Sequence, residues 1–463
     1  MATVLNAKGV PLPYSGSSVK WYSATNSGPT LYGSTYNDSM YGDANVTVTM
    51  RGGKGDDIYY LYAAKNKAVE LSGEGVDTIS TWMSYKLPAN FENLTVTGDK
   101  RYAFGNELNN IVTGGSGQQT LDGLQGDDVL KGGSGADIFV VNPGNGSDLI
   151  LDLGATDTVR VGSYGFTSFE EVRADMVQSG ANVRLNLSDG EFLVFANKTI
   201  GEFTASQFKL AVDRSALELT FSDEFDTLDL WNGSSGTWDS NYWWGAANGS
   251  TLTSNNDLQW YIDTDYAPTR SVNPFSIDDG VLTITAARAP EAIRPYINNY
   301  QYTSGLLTTY ESFAQTYGYF EIRADMPETQ GAWPAFWLLP EDGSWPPELD
   351  VIEMFGQDPN KLILTGHSNA TGTHTTVGST AYASDTKGFH TYGVLWTEDE
   401  LVWYFDDVEV ARAATPADMH DPMYMLVNMG IGGQAGAPAD GLATPAEMQI
   451  DYIHAYALQD WII

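Results

Sequence analysis

Residues 105–140 read GNELNNIVT GGSGQQTLD GLQGDDVLK GGSGADIFV, four nonapeptides in unbroken register. Position eight is always apolar (Val112, Leu121, Leu130, Phe139), and position six is Asn110, Gln119, Asp128 and Asp137. The glycines permit the left-handed backbone of a tight turn. The three residues after each turn form a short strand whose one apolar side chain points inward. Stacking such units makes a parallel β-roll, with turns on the same side two repeats apart. Asn110 then faces Asp128, and Gln119 faces Asp137. A position-six Asp sets a carboxylate beside turn carbonyls, all hard oxygen ligands suited to Ca²⁺.

Moving outward, the theme recurs upstream in GSTYNDSMY (33–41), GDANVTVTM (42–50) and, after Arg51, GGKGDDIYY (52–60). Downstream, FTSFEEVRADM (166–176) has helical spacing, with Phe169, Val172 and Met176 on one side, and VRLNL and EFLVF read as strands around the turn SDG. The repeats resemble the calcium-binding nonapeptide (RTX, hemolysin-type) pattern GGxGxDxUx, over about 33–210, including GEGVDTI (73–79), SYKLPANFENLTVTG (84–98) and NGSDLILDL. The resemblance implies structural Ca²⁺ held by Asp57, Asp77, Asp128, Asp137 and Asp148. Gln119 and Asn110 are weaker substitutes for the acid, and Leu124 stands where the pattern has glycine. Short strands burying one side chain each cannot offset roughly 1–2 kcal/mol of backbone entropy per residue, so the ion is expected to be part of the folding energy.

From 217 the texture changes to strands, turns and aromatics: LELTFSDEF, GVLTITAAR, GYFEIRADM, YMLVNMGIGG, MQIDYIHAY, and GVLWTEDELVWYF as a hairpin. The expected fold is all-β: an N-terminal parallel β-roll followed by a β-jelly-roll sandwich. The expected limits are a lead-in at 1–32, the roll at 33–150, a cap and linker at 151–216, and a catalytic domain at 217–463.

Charge is uneven. Residues 1–216 carry 24 acidic and 16 basic side chains, residues 217–463 carry 35 and 7, and the whole chain is at -36. This balance disfavours nucleic acid as a partner, since phosphate binding needs Lys and Arg. The chain has no cysteine, no window suited to a membrane span, and no basic-then-apolar start of a cleavable signal.

Within this acidic half, PPELDVIEMFG (346–356) puts Glu348, Asp350 and Glu353 into an otherwise apolar strand. Strict alternation would place Glu348 and Asp350 on one face and Glu353 on the other. One extra residue, a β-bulge between Asp350 and Glu353, brings all three to one face and returns the apolar residues to the core. Adjacent carboxylates repel, so at least one titrates high. A pair of this kind suits retaining glycoside hydrolysis, with one carboxylate attacking and the other, protonated, serving the leaving oxygen.

ELDVIE resembles the ExDxxE signature of glycoside hydrolase family 16 in its bulged form. Further matches are FSDEF (221–225), NNDLQWY (255–261), SGLLTT (304–309), YGYFEIRADMP (317–327), GAWPAFWLLP (331–340), FHTYGVLW (389–396), NMGIGG (428–433) and QIDYIHAY (449–456). The resemblance implies a curved sandwich with an open cleft for endo-attack, Glu348 as nucleophile, Asp350 as its orienter and Glu353 as acid/base. Sugar faces stack on aromatic rings. Trp333 and Trp345 are the first candidates for the cleft, then Trp260 and Trp244, with Trp337 assigned to the core. His367 is placed beside Glu353, His390 is read as structural, and Asn256 and Asn428 are candidates for sugar hydroxyls. A further calcium site near Asp451 is a lesser candidate. An RTX roll followed by such a domain, with HSNATGTHT, resembles the rhizobial glycanases that cut succinoglycan, implying secretion by a type I machinery that reads the C-terminal ALQDWII. The alternatives are a neutral β-1,3- or mixed-linkage glucan as substrate, and a non-catalytic carbohydrate-binding matrix protein.

Overall fold

The computed structural model describes residues 4–12, 20–23, 30–439 and 441–459. The end of ALQDWII, residues 460–463, lies outside them, as do parts of the lead-in. The chain divides into two compact units, Met1–Ala211 and Val212–Ile463.

The first unit is a roll of parallel ladders. Ile111–Thr113 pairs with Val129–Lys131, and Gln119–Leu124 with Ile138–Val140, so neighbours in a sheet are two nonapeptides apart. Val112, Leu121, Leu130 and Phe139 are fully buried between the sheets. Among the described residues the ladders begin at Lys20–Ser23, ahead of the expected 33–210 span, and end at Phe208–Lys209, within it but beyond the last nonapeptide. At those ends the coils keep the strand pairing while losing the glycine spacing that makes the motif visible. The cap holds the helix Phe169–Ala174, its N-terminus closed by a capping box between Ser168 and Glu171, with Val172 buried. Asn182–Asn186 and Phe192–Phe195 then pair antiparallel, as the periodicity predicts.

The second unit packs a ten-stranded sheet on a seven-stranded one, nearly all antiparallel, around one large core. Among the described strands, Gln259–Tyr261 pairs parallel with Tyr302–Ser304 and departs from that rule. The expected hairpin forms from His390–Trp396 and Glu400–Phe405. Strand alternation positions the site. In Ala332–Pro340, Phe336 and Leu338 enter the core while Trp333, Ala335, Trp337 and Leu339 line a groove on the other face. In Met423–Ile431, Met425, Val427 and Met429 go inward, and Tyr424, Asn428 and Gly430 face the groove.

Candidate active site and calcium-binding turns

Strand Glu348–Glu353 lies between Ala332–Pro340 and Lys361–Ser368 in the seven-stranded sheet. Its register slips against both neighbours: Asp350 opposes Trp337 and Ile352 opposes Phe336, leaving Val351 extra. Against the other strand the shift falls between Asp350 and Glu353. Val351 and Ile352 are therefore consecutive residues that both enter the core, and Glu348, Asp350 and Glu353 all line the groove.

Each outer carboxylate is held by an indole. Trp345 Nε1–H donates to Glu348 Oε2 at 2.6 Å, and Trp333 Nε1–H donates to Glu353 Oε1 at 2.8 Å. His367 Nε2 stands 3.1 Å from Asp350 Oδ2 and 3.8 Å from Glu348 Oε1, and it also lies near enough to Glu353 to pull that carboxyl down. His374, the second histidine of HSNATGTHT, meets His367 Nδ1 through its Nε2 at 2.9 Å, ring on ring.

Burial is the main force on the three acids. It pushes Glu348 up to about 8, with Asp350's charge adding to the rise. Asp350 is raised well above the carboxylate range by burial and then by Glu353's charge. Glu353 rises to about 7 through burial and Glu348's charge, against the pull of the Trp333 indole. Taken singly, the values put a proton more firmly on Glu348 than on Glu353. Asp350's charge raises Glu348 and Glu353's charge raises Asp350, so the three carboxyls do not ionise independently. Asp350 is the most deeply buried of the three, and Glu348 accepts a hydrogen bond from Trp345.

The groove has a volume of about 860 Å³, within the range of ligand sites. Trp333, Trp345 and Trp244 line it, as does Trp337, which packs in a buried cluster with Tyr242, Tyr261 and Leu339 as expected of a core residue, also reaches the groove floor, and donates from Nε1 to Asn428 Oδ1. Trp345 and Trp244 are exposed, at 59% and 44%. Asn428 also donates from Nδ2 to Tyr261 Oη, which fixes its orientation. Trp260 does not reach the groove. Its indole is buried with Ile262, Ala289 and Ile293 and donates to the Asn248 carbonyl, because the alternation of Gln259–Tyr261 turns Tyr261 to the groove instead. Asn256 also misses it: it takes a left-handed turn (φ 59°) that presents its neighbours Asn255 and Asp257. Trp243, another wall residue, was indistinguishable by sequence from its neighbour Trp244. His390 lies elsewhere, bonded to Asp406. Asp451 is ion-paired with Arg323, so that guanidinium already supplies the cation expected there.

In the roll, the position-six side chains form ladders. Asp128 Oδ1 accepts the Asn110 N–H at 2.6 Å and Asp148 Oδ1 the Asp128 N–H at 2.9 Å. Asp137 Oδ1 accepts the Gln119 N–H, and Asp77 Oδ1 the Asp57 N–H. The second oxygens of Asp57, Asp128 and Asp137 are buried without any hydrogen-bond partner. An orphaned carboxylate oxygen beside backbone carbonyls fits a hard cation. Asn110 and Gln119 differ: their amide nitrogens donate to the carbonyls of Phe91 and Gly98 and so occupy that place themselves. Leu124 adopts the left-handed conformation (φ 65°) the turn requires of the glycine it replaces.

Paired, buried carboxylates on the open face of a β-sandwich, flanked by indoles, define a glycoside hydrolase. The family follows from comparison: residues 262–454 match the model of glycosyl hydrolases family 16, and 30–45, 104–139 and 113–150 match the RTX calcium-binding nonapeptide repeat. The chain is 65% identical to endo-1,3-1,4-beta-glycanase ExsH and 62% identical to endo-1,3-1,4-beta-glycanase EglC, both of Rhizobium meliloti (strain 1021), over 100% of this chain and 99% of each relative. A beta-glucanase of Rhodothermus marinus is 31% identical over 52% of this chain and 85% of its own. The chain belongs to glycoside hydrolase family 16.

Proposed function

We propose that this chain is a secreted, endo-acting, retaining β-glycanase that hydrolyses β-glucosidic bonds in a polysaccharide. The observation that carries the proposal is the bulge, which sets Glu348 and Glu353 on one face of the groove with Asp350 between them. Glu348, ionised, attacks the anomeric carbon while Glu353, protonated, gives its proton to the departing oxygen. Glu353, now a base, then activates the water that releases the sugar from Glu348. Asp350, beside the nucleophile on the same strand, orients it, and Trp345 and Trp333 fix the two glutamates.

The relatives named for 1,3-1,4-β-glycanase activity favour a backbone of β-glucosidic linkages, and a succinoglycan-type exopolysaccharide is the substrate we favour. The groove adds a condition. Its lining includes Asp257, Glu348, Asp350 and Glu353 but no Lys or Arg. It therefore suits uncharged sugar units, and the acidic substituents of such a polymer would stay outside it. Export through a type I channel, with calcium folding the roll outside the cell, fits the RTX repeats. Reducing-end release from succinoglycan, laminarin and lichenan tests the substrate. Rapid loss of viscosity with few ends released is expected on succinoglycan; cleavage of the neutral glucans alone would move the assignment to a laminarinase or mixed-linkage glucanase.

A further inference from the structure

The first roll turns contain a buried acid that the nonapeptide pattern does not account for. Met50 pairs with Ala68, and Val69 N–H bonds to the Met50 carbonyl, so Glu70 occupies the place held one coil earlier by Gly52. That place normally admits only glycine: a Cβ on Gly52 would come within 1.9 Å of Asp57 Oδ2, and one on Gly123 within 2.0 Å of Asp128 Oδ2. In the 69–77 turn the glycine is gone, and a carboxylate stands there. Oxygens of Asp57, Glu70 and Asp77 lie within 4.8 Å of one another. The three residues are 0%, 5% and 1% exposed.

Neither carboxylate oxygen of Glu70 has a hydrogen-bond partner, nor has Asp57 Oδ2. The Gly52 N–H beside Glu70 is directed to Tyr59 Oη at 2.5 Å. The charged neighbours of the three are themselves acidic: Asp38, Asp56, Glu74 and Glu92. Buried carboxylates need a partner, and none of the described side chains provides a positive one. We infer that Glu70 joins Asp57 and Asp77 as a ligand of a Ca²⁺ in this turn, its side chain replacing a glycine-turn contribution. The donor set is all carboxylate oxygen, with no nitrogen or sulfur, which selects a hard cation. Burial disfavours Mg²⁺, which gives up its water reluctantly. Asp57 and Asp77 are position-six acids of the ladder, and Glu70 is the ligand that the nonapeptide pattern does not supply.

The identity of the ion rests on the calcium reading of the roll, and the test separates the two. Native mass spectrometry of the full chain equilibrated with Ca²⁺ counts bound ions in wild type, Glu70→Gln and Asp137→Asn. Glutamine mimics a protonated, metal-free glutamate, so a Glu70 that merely holds a proton would leave the count unchanged. We expect Glu70→Gln to bind one ion fewer and to need at least about tenfold more Ca²⁺ for half-maximal thermal stabilisation of the roll, consistent with loss of one ligand. An unchanged count and midpoint in Glu70→Gln, with an ion lost in Asp137→Asn, would overturn this site alone. Absence of calcium from wild type would overturn the roll reading and this site with it. Should Glu70→Gln fail to fold, hydrogen exchange on wild type decides. Added Ca²⁺ should slow exchange across 69–77, and no change there while 123–137 becomes protected would contradict the proposal.

Discussion

At the scale of single residues, the protonation of the groove follows from who touches whom. Glu353 is raised to about 7 by burial and by the charge of Glu348, and lowered by the Trp333 indole. Since the proposed acid must be protonated, kcat/KM should fall as pH rises through about 7. Trp333→Phe removes a hydrogen bond that favours the charged form, so the alkaline limb should move to higher pH; a limb that stays in place would show that another group sets it. Glu348→Gln removes a raising charge, so the Glu353 carboxyl, followed by NMR, should titrate lower than in wild type. The same variant should lose roughly 10³-fold or more in turnover on polymer. The residue scale is also where the sequence was least legible. Trp333 and Trp345 flank the signature and were readable as groove residues, but Trp260 and Tyr261 are adjacent and only the strand's facing decides which one meets a sugar. The step from Asn256 to Asn255 is a single residue in a short turn, set by one left-handed backbone angle.

At the scale of elements, the bulged strand was legible because its charge pattern has one economical solution. A regular strand would bury a glutamate or expose apolar residues, and the extra Val351 removes the conflict. Deleting Val351 should therefore turn Glu353 toward the core and abolish activity, whereas Val351→Ala keeps the bulge and should retain activity at a cost in stability of about 1–3 kcal/mol. Calcofluor or reducing-end assays with circular dichroism on both variants separate register from packing. The roll was legible for a different reason: a nine-residue period repeats its glycine, acid and apolar positions four times. Where coils drop that spacing, at Lys20–Ser23 and Phe208–Lys209, only strand pairing identifies them. Trp244 and Trp345 were readable as wall candidates, but Trp243, Gly343 and Ser344 come from loops without period and carried no such signal.

At the scale of the whole molecule, the two units should respond to conditions differently. The sandwich has its own large core, while the roll leaves carboxylate oxygens without partners. Chelation by EDTA should increase protease cleavage within 33–150 and lower the strand signal, while 217–463 remains folded and active; an unchanged roll in excess chelator would contradict the calcium dependence. The catalytic acids impose a pH cost on the second unit. Their folded pKa values are raised, so the stability they contribute is present below about 4.5 and is lost as pH rises through about 7 to 8. Glu348→Gln should thus leave the melting temperature of this unit nearly unchanged at pH 4.5 and raise it by several degrees at pH 8, reflecting about 1–3 kcal/mol. Equal effects at both pH values would contradict that linkage. The role of Glu348 is open to the most direct measurement. A 2-deoxy-2-fluoro β-oligoglucoside with a good leaving group should form a stable glycosyl-enzyme, and peptide mass spectrometry should find the sugar on Glu348, with β-configured product released first from natural polymer. A label on another residue, or an inverted first product, would contradict the double-displacement mechanism at this groove.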